Sequence, residues 1–455
     1  MKKFRAIMFP ALVLAVLLGV WFIFVSSPQK DMVNTATFSK MLAAESFTLN
    51  NGLQIVVIPD ANSAEILHMV WYKVGAADDP PGKSGLAHFV EHLTFGGTNT
   101  SPEREFTRIL AHVGDKQDAV TTPDYTVYYQ MVRPKHLSTV MQLEADRMEN
   151  VLITKESMAS EAKEVLEERQ QFDGNPQALL YQRMQAVLYQ DHAYGIPGLG
   201  WPKEVDNVTR EEAIAFYRQW YAPNNAMVLV YGGVTAQQLR PLAEKYYGAI
   251  PAREIPNRSI PPGIAPSSAQ SVVIKDKRAP SPVWTRGYLA PSYKTGDTKH
   301  VYALQVLAEI LGGRLKSRLH QSPVLSKAAQ EVSVEYEPES LALTTFSIRV
   351  ILKSEVNLDE VAKAVDLELQ ALATAGPSHA EVAHAQKSTK PETVFEENIP
   401  TVAQLVGSAS ARGRTLDELK AWPQSISAVT AEQVQEAVRA FLLSDRSVTG
   451  VLLPR

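Results

Sequence analysis

His88, Glu91 and His92 stand in the run GLAHFVEHLTFGG, residues 85–97, with the histidines four apart and the glutamate directly before the second. On a helix, residues four apart share a face, and a residue three apart neighbours them. The three side chains then project together. Two imidazoles so placed can hold one Zn²⁺ at about 2.0–2.1 Å each. A glutamate beside the metal can serve as general base on zinc-bound water. On spacing alone, a solvated helix face is the competing reading. A catalytic zinc needs a third protein ligand and an open position. The stretch SEAKEVLEERQ, residues 160–170, offers candidates. Glu161 and Glu168 are two helical turns apart and share a face; Glu164 joins them, and Glu167 points away. An acidic, solvated helix is the bland reading of that stretch.

The elements that must position these residues follow from periodicity. FTLNNGLQIVVIPD reads as a hairpin turning at Asn50-Asn51-Gly52, and HMVWYKVGA as a further strand. From Gly85 the period becomes helical. DYTVYYQMV is strand-like, and HLSTVMQLEADRMENVLI and MASEAKEVLEERQQF read as successive helices. NAMVLVYGGV reads as a buried strand followed by a helix. A proline-rich linker spans 249–270, with Pro251, Pro256, Pro261, Pro262 and Pro266. Beyond it the pattern restarts with SVVIKDK, a helix ending at Gly312-Gly313, a strand and helix from Leu341, and a last strand, SVTGVLL. The fold class is therefore α+β, with two related repeats, each a mostly antiparallel sheet packed with helices. The expected domains are 40–248 and 271–455. Aligning Gly96 with Gly312 gives an offset of 216, which sets His88, Glu91 and His92 against Leu304, Leu307 and Ala308. The second repeat thus lacks every polar group of the first motif.

Residues 1–30 read as a membrane anchor or signal segment. MKKFR precedes an uncharged run from Ala6 to Val25, and about 20 apolar residues suffice to span a bilayer as a helix. Lys2, Lys3 and Arg5 would hold the N-terminus in the cytoplasm. That predicts one transmembrane helix in the inner membrane of a bacterium, with the body periplasmic. A cleaved signal peptide, leaving a soluble periplasmic protein, is the alternative; VSSPQK after the run has no A-x-A site. A length of 455 residues suits two or more domains. Hydrophobic content of 45% and charged content of 21% are ordinary for a globular chain. A net charge of -4 carries no basic footprint for nucleic acid. The absence of cysteine excludes disulfides, thiolate metal sites and a cysteine nucleophile.

GLAHFVEHLTFGGT carries H-x-x-E-H, the inverzincin signature, and resembles the zinc motif of the insulinase/pitrilysin family, which includes the mitochondrial processing peptidase. In that family the third ligand is a glutamate 76 positions after the second histidine, which here is Glu168, in EAKEVLEE. A further family glutamate, seven residues earlier, falls on Glu161. GDKQDAVTTPDYTVYY is similar to the family's G-x-x-N-A-x-T-x-x-D-x-T-x-Y strand, and YGIPGLGWPKEV and FYRQWYAPNNAMVLVYGGV match later segments. The resemblance covers about 45–455. It implies a zinc metalloendopeptidase with one Zn²⁺ per chain held by His88, His92 and Glu168. Glu91 would be the general base, and Glu161 would orient a ligand histidine. Peptide substrate would add as a strand along Ala119, Val120 and Thr121. Asp118 stands where the family has asparagine, a departure that bears on substrate grip and favours basic peptides. His112, His136, His192 and His320 have no partner pattern and read as structural or exposed.

Active members also use an arginine and a tyrosine in a segment like L-R-x-K-x-x-L-x-Y. The matching stretch, PVLSKAAQEVSVEY, has Ser326 and Lys327 near the arginine position, and Tyr336 stands in poor register. The resemblance therefore implies a heterodimer with a zinc-less sister subunit supplying that pair, with a homodimer as the alternative. The rival function is a catalytically silent scaffold or core subunit. A purely structural zinc site would need a fourth protein ligand, and no candidate stands at a sensible spacing.

Overall fold

A computed structural model describes residues 43–101, 108, 109, 112, 114–313, 315–353, 357–389, 399–443 and 445–454. The first half runs β1 (Glu45–Thr48), β2 (Gln54–Pro59), β3 (Ile66–Tyr72), α1 (Leu86–Leu93), β4 (Gly114–Thr121), β5 (Thr126–Val132), α2 (Leu137–Asn150), α3 (Lys155–Asp173), α4 (Pro176–Tyr189), α5 (Arg210–Trp220), β6 (Ala226–Gly232) and α6 (Ala236–Tyr246). The second runs β7 (Gln270–Lys275), β8 (Val283–Ala290), α7 (Val301–Gly312), β9 (Ala329–Tyr336), β10 (Thr344–Leu352), α8 (Leu358–Ala375), α9 (His379–Ser388), α10 (Thr401–Ala411), α11 (Leu416–Ser427), α12 (Ala431–Ala437) and β11 (Ser447–Leu453). Short helical turns lie between some of these.

The strands form two sheets, ordered β1-β2-β6-β3-β5-β4 and β7-β11-β8-β10-β9. Setting aside the added hairpin strand β1, the two orders are the same: first strand, last, second, fourth, third. In both, the first and last strands pair in parallel and every other pairing is antiparallel. The fold is thus α+β with mostly antiparallel sheets, and the shared order supports a duplicated unit. β4 ends the first sheet, so one of its backbone edges is unpaired within the sheet.

The described residues form two compact units that are discontinuous in sequence, which the blocks 40–248 and 271–455 do not anticipate. One unit takes the residues up to Gly174, Pro197–Asn257 and α10; the other takes Asn175–Ile196, 258–389 and 412–454. α4 therefore packs in the second unit. Its Leu180, Met184 and Leu188 share a core with Ile274, Val283, Leu289, Val448 and Leu452. α10 packs in the first, where a Cβ on Gly407 would lie 2.1 Å from Trp71 of β3. Only glycine allows that approach. The core of the first unit joins Val70 and Tyr72 of β3 to Leu86, Phe89, Val90 and Leu93 of α1 and Val165 of α3. The expected linker region has no regular element between Pro251 and Ala269. Among the described residues no helix is long and apolar enough to cross a membrane. The expected span, 6–25, lies outside the described residues.

Candidate metal centre

α1 buries Leu86, Phe89, Val90 and Leu93 against the core and turns His88, Glu91 and His92 the other way. Its start is tightly built. Gly85 has φ +84°, and a Cβ there would lie 2.9 Å from the Gly200 Cα. Asp79 accepts the Gly85 amide at 2.7 Å and the Ala87 amide at 2.8 Å, closing the helix N-terminus. Burial pushes the Asp79 carboxyl up to about 8, against the pull of those amides. At the other end, Thr94 donates to the Glu91 carbonyl at 2.7 Å and lies 3.0 Å from the Tyr128 hydroxyl. α3 is capped by Thr154, whose hydroxyl accepts the Ser157 amide at 3.0 Å. It turns Val165, Arg169 and Phe172 inward.

Together the two helices converge His88, His92 and Glu168. One ligand atom from each lies within 4.8 Å of the others. Glu168 Oε2 is 3.5 Å from His88 Nε2 and 3.5 Å from His92 Nε2. Ligands at about 2.0–2.1 Å in a tetrahedral site stand about 3.3–3.4 Å from one another, so the spacing suits one small cation. His88 Nε2, His92 Nε2 and Glu168 Oε2 are all buried and make no hydrogen bond. Buried polar atoms are ordinarily paired, and these three facing one another fit a cation held among them. Three protein ligands leave one tetrahedral position for water. Glu161 Oε2 lies 3.3 Å from His92 Nδ1, the nitrogen turned away from the cluster. His88 Nδ1 has no such support.

The electrostatics separate the groups. Burial holds His88 well below its ordinary range, and the neighbouring His92 charge adds to this. Burial lowers His92 too, but the carboxylates of Glu161, Glu168 and Glu91 outweigh it and hold the imidazolium up to about 10. Burial pushes Glu91 up to about 7, against the pull of His92 and of the Thr121 hydroxyl. Thr121 donates to Glu91 Oε2 at 2.6 Å. The site thus pairs a buried carboxylate titrating near neutrality with three converging ligand atoms, an arrangement suited to metal-assisted proton transfer.

Ala119, Val120 and Thr121 lie on β4 beside this site, but all three are buried. Only the backbone edge can serve a partner strand. The Ala119 amide already donates to Asp118 Oδ1 at 2.8 Å. Glu164 is half-buried, and Glu167 is exposed, 3.5 Å from Lys163. His192 is buried, with Nε2 2.7 Å from the Pro261 carbonyl and Nδ1 accepting the Tyr194 amide at 3.0 Å. His320 Nδ1 lies 2.8 Å from Ser317 Oγ, and His112 Nδ1 lies 2.7 Å from the Arg108 carbonyl. His136 occupies the N-cap of α2. In the second unit, Ser326 and Lys327 are exposed. Tyr336 is buried and donates to the Pro291 carbonyl. Two contributors escape sequence reasoning. Asp79 had a signal, an acidic residue before Pro80-Pro81 and the helix start. The Thr121–Glu91 bond had none, because it joins positions 30 apart on different elements.

Known families and structures resemble the chain over most of its length. The model of the insulinase family, peptidase family M16, matches residues 55–200. The model described as the peptidase M16 inactive domain matches residues 207–389. A zinc protease of Helicobacter pylori, PqqE, is 30% identical over 309 residues, which is 66% of this chain and 68% of that protein. The crystal structure of a protease from Helicobacter pylori superposes with a TM-score of 0.81 at 25% identity, covering 90% of this chain and 99% of that one. The periplasmic protease PqqL from Escherichia coli has the same fold, with a TM-score of 0.77 at 19% identity; the match covers 91% of this chain and 48% of that one.

Proposed function

The chain belongs to the insulinase family of peptidases, family M16, and on that premise we propose that it is a zinc-dependent endopeptidase. It hydrolyses peptides or unfolded segments bound as an added β-strand. The observation that carries this is the convergence of the buried His88 Nε2, His92 Nε2 and Glu168 Oε2, none of them in a hydrogen bond, beside the Glu91 carboxylate. Those three atoms would hold the ion. Zinc there supplies Lewis acidity, lowering the pKa of a water and polarising the scissile carbonyl. Glu91 takes the proton from the attacking water and delivers it to the leaving amine. Its rise to about 7 suits a group that both accepts and returns a proton near neutral pH. Glu161 keeps His92 oriented through Nδ1. The free edge of β4 receives the substrate backbone.

The full active assembly is a dimer. A zinc-less sister subunit supplies an arginine and a tyrosine, since Tyr336 here is committed to Pro291; a homodimer is the alternative. The chain sits in the inner membrane through residues 6–25 with the peptidase body in the periplasm, or is exported and cleaved there. A catalytically silent core subunit is the second reading, favoured by the commitment of Tyr336. Hydrolysis of a quenched-peptide library by the purified chain and its Glu91→Gln form decides between them. The expected result is cleavage by the parent, none by the variant, and about one zinc per chain in both. Equal cleavage by the two overturns the role of Glu91. Zinc without cleavage in either, even with the co-purified partner, supports the silent subunit.

A further inference from the structure

Thr121 ends β4, the edge strand, yet its hydroxyl does not face outward. It donates to Glu91 Oε2 at 2.6 Å, and both residues are 4% exposed. The neighbouring hydroxyl, Thr126 Oγ1, is 3.3 Å from Thr121 Oγ1 but donates to the Val74 carbonyl at 3.0 Å. Each hydroxyl has one proton, and each proton has a fixed acceptor. Among the described residues the Glu91 carboxylate takes no other hydrogen bond. A glutamate's terminal torsion is broad and nearly two-fold, so the Thr121 bond is what sets which oxygen faces the reacting water. The bond is held on a sheet: Thr121 pairs with Thr126 of β5 in register.

We propose that Thr121 is the positioning residue of the general base, pinning Glu91 Oε2 so that Oε1 takes and returns the proton. This rests on the peptidase reading. It also separates Thr121 from the substrate-gripping role expected of an edge residue, because a group that orients the base acts on turnover and not on binding.

The test compares the full chain with Thr121→Val, Thr121→Ser and Glu91→Gln on one quenched peptide. Thr121→Val keeps the shape and loses the donor. It should lower kcat about 10- to 100-fold, or about 1.4–2.7 kcal/mol, with KM and zinc content unchanged. Thr121→Ser, which keeps the hydroxyl, should recover most of the rate. A rise in KM with kcat intact, or an equal loss in the valine and serine forms, overturns the proposal while leaving the peptidase reading standing. A double-mutant cycle in urea unfolding, Thr121→Val against Glu91→Leu, reads the bond without activity. Thr121→Val should destabilise the parent more than the Glu91→Leu form. Absence of that coupling overturns the proposal even if the parent itself cleaves nothing, an outcome that would count separately against the peptidase reading.

Discussion

His92 must give up more than His88 to bind a cation. Burial weakens its hold on a proton, but Glu161, Glu168 and Glu91 overrule burial and keep the imidazolium up to about 10. Ligand imidazoles must be neutral. Metal uptake near neutral pH should therefore expel a proton, and zinc affinity should rise about tenfold per pH unit while that one proton is released. Chelator competition from about pH 6 to about pH 8 checks this, and a flat profile contradicts it. The same shift bears on the metal-free fold. A folded-state pKa above the ordinary 6.5 stabilises the chain fully below that value. The stabilisation is lost as pH rises toward about 10. Glu161→Gln removes the charge 3.3 Å from Nδ1. It should cost about 10- to 100-fold in zinc affinity, measured by the same competition; an unchanged affinity would show that Glu161 does not support the ligand. The face shared with Glu168 marks Glu164 as well as Glu161, so the choice of Glu161 rests on the family resemblance and not on spacing. Thr121 was placed on the right strand, but its bond to Glu91 crosses from sheet to helix and leaves no periodic trace.

α1 is only eight residues long, too short to be stable by propensity alone. Its place depends on what grips its ends. Gly85→Ala would force a left-handed residue and a contact 2.9 Å from Gly200. Strain of this kind costs on the order of 1–3 kcal/mol. The expected outcome is a lower urea midpoint and weaker zinc retention together; full retention of both would mean that the loop at Gly200 yields. Asp79 adds a pH signature. Its carboxyl is raised from 3.8 to about 8, so the fold favours the protonated form. That contribution is present below the ordinary value and is lost as pH climbs through about 8. Asp79→Asn should flatten the fall in stability between about pH 4 and about pH 8, as followed by urea unfolding, and an unchanged slope assigns the fall elsewhere. The strands and helices around the site were readable from apolar alternation and three-four spacing, and so was the hairpin at Asn50-Asn51-Gly52. The seating of the loop before Trp201 on Gly85 was not, because contacts between distant segments impose no local period.

At the scale of the whole molecule, two sheets with one strand order support a duplicated unit, and Leu304 and Leu307, which the glycine-pair alignment sets against His88 and Glu91, are fully buried on α7. Sequence order suggests two blocks that could be cut apart at the proline-rich segment. The units say otherwise. α4 is coded in the first half but completes the core around Val283 and Val448, and α10 is coded in the second half but lies on Trp71. Neither exchange was legible, since an amphipathic helix records that it has an apolar face and not which sheet covers it. A chain cut near Asn257 therefore leaves α4 without its sheet and β3 without α10. Burying a large apolar side chain is worth about 1.5–3 kcal/mol. Stranding Leu180, Met184 and Leu188 removes a sum comparable with a domain's net stability of about 5–15 kcal/mol. Fragment 43–257 alone should bind a hydrophobic dye, unfold without a sharp transition and hold zinc more weakly than the full chain, although every ligand lies within it. Co-expression with 258–455 should restore a cooperative transition. A fragment 43–257 that unfolds cooperatively and keeps full zinc affinity would show that the exchanged helices decorate two self-sufficient repeats instead of joining them.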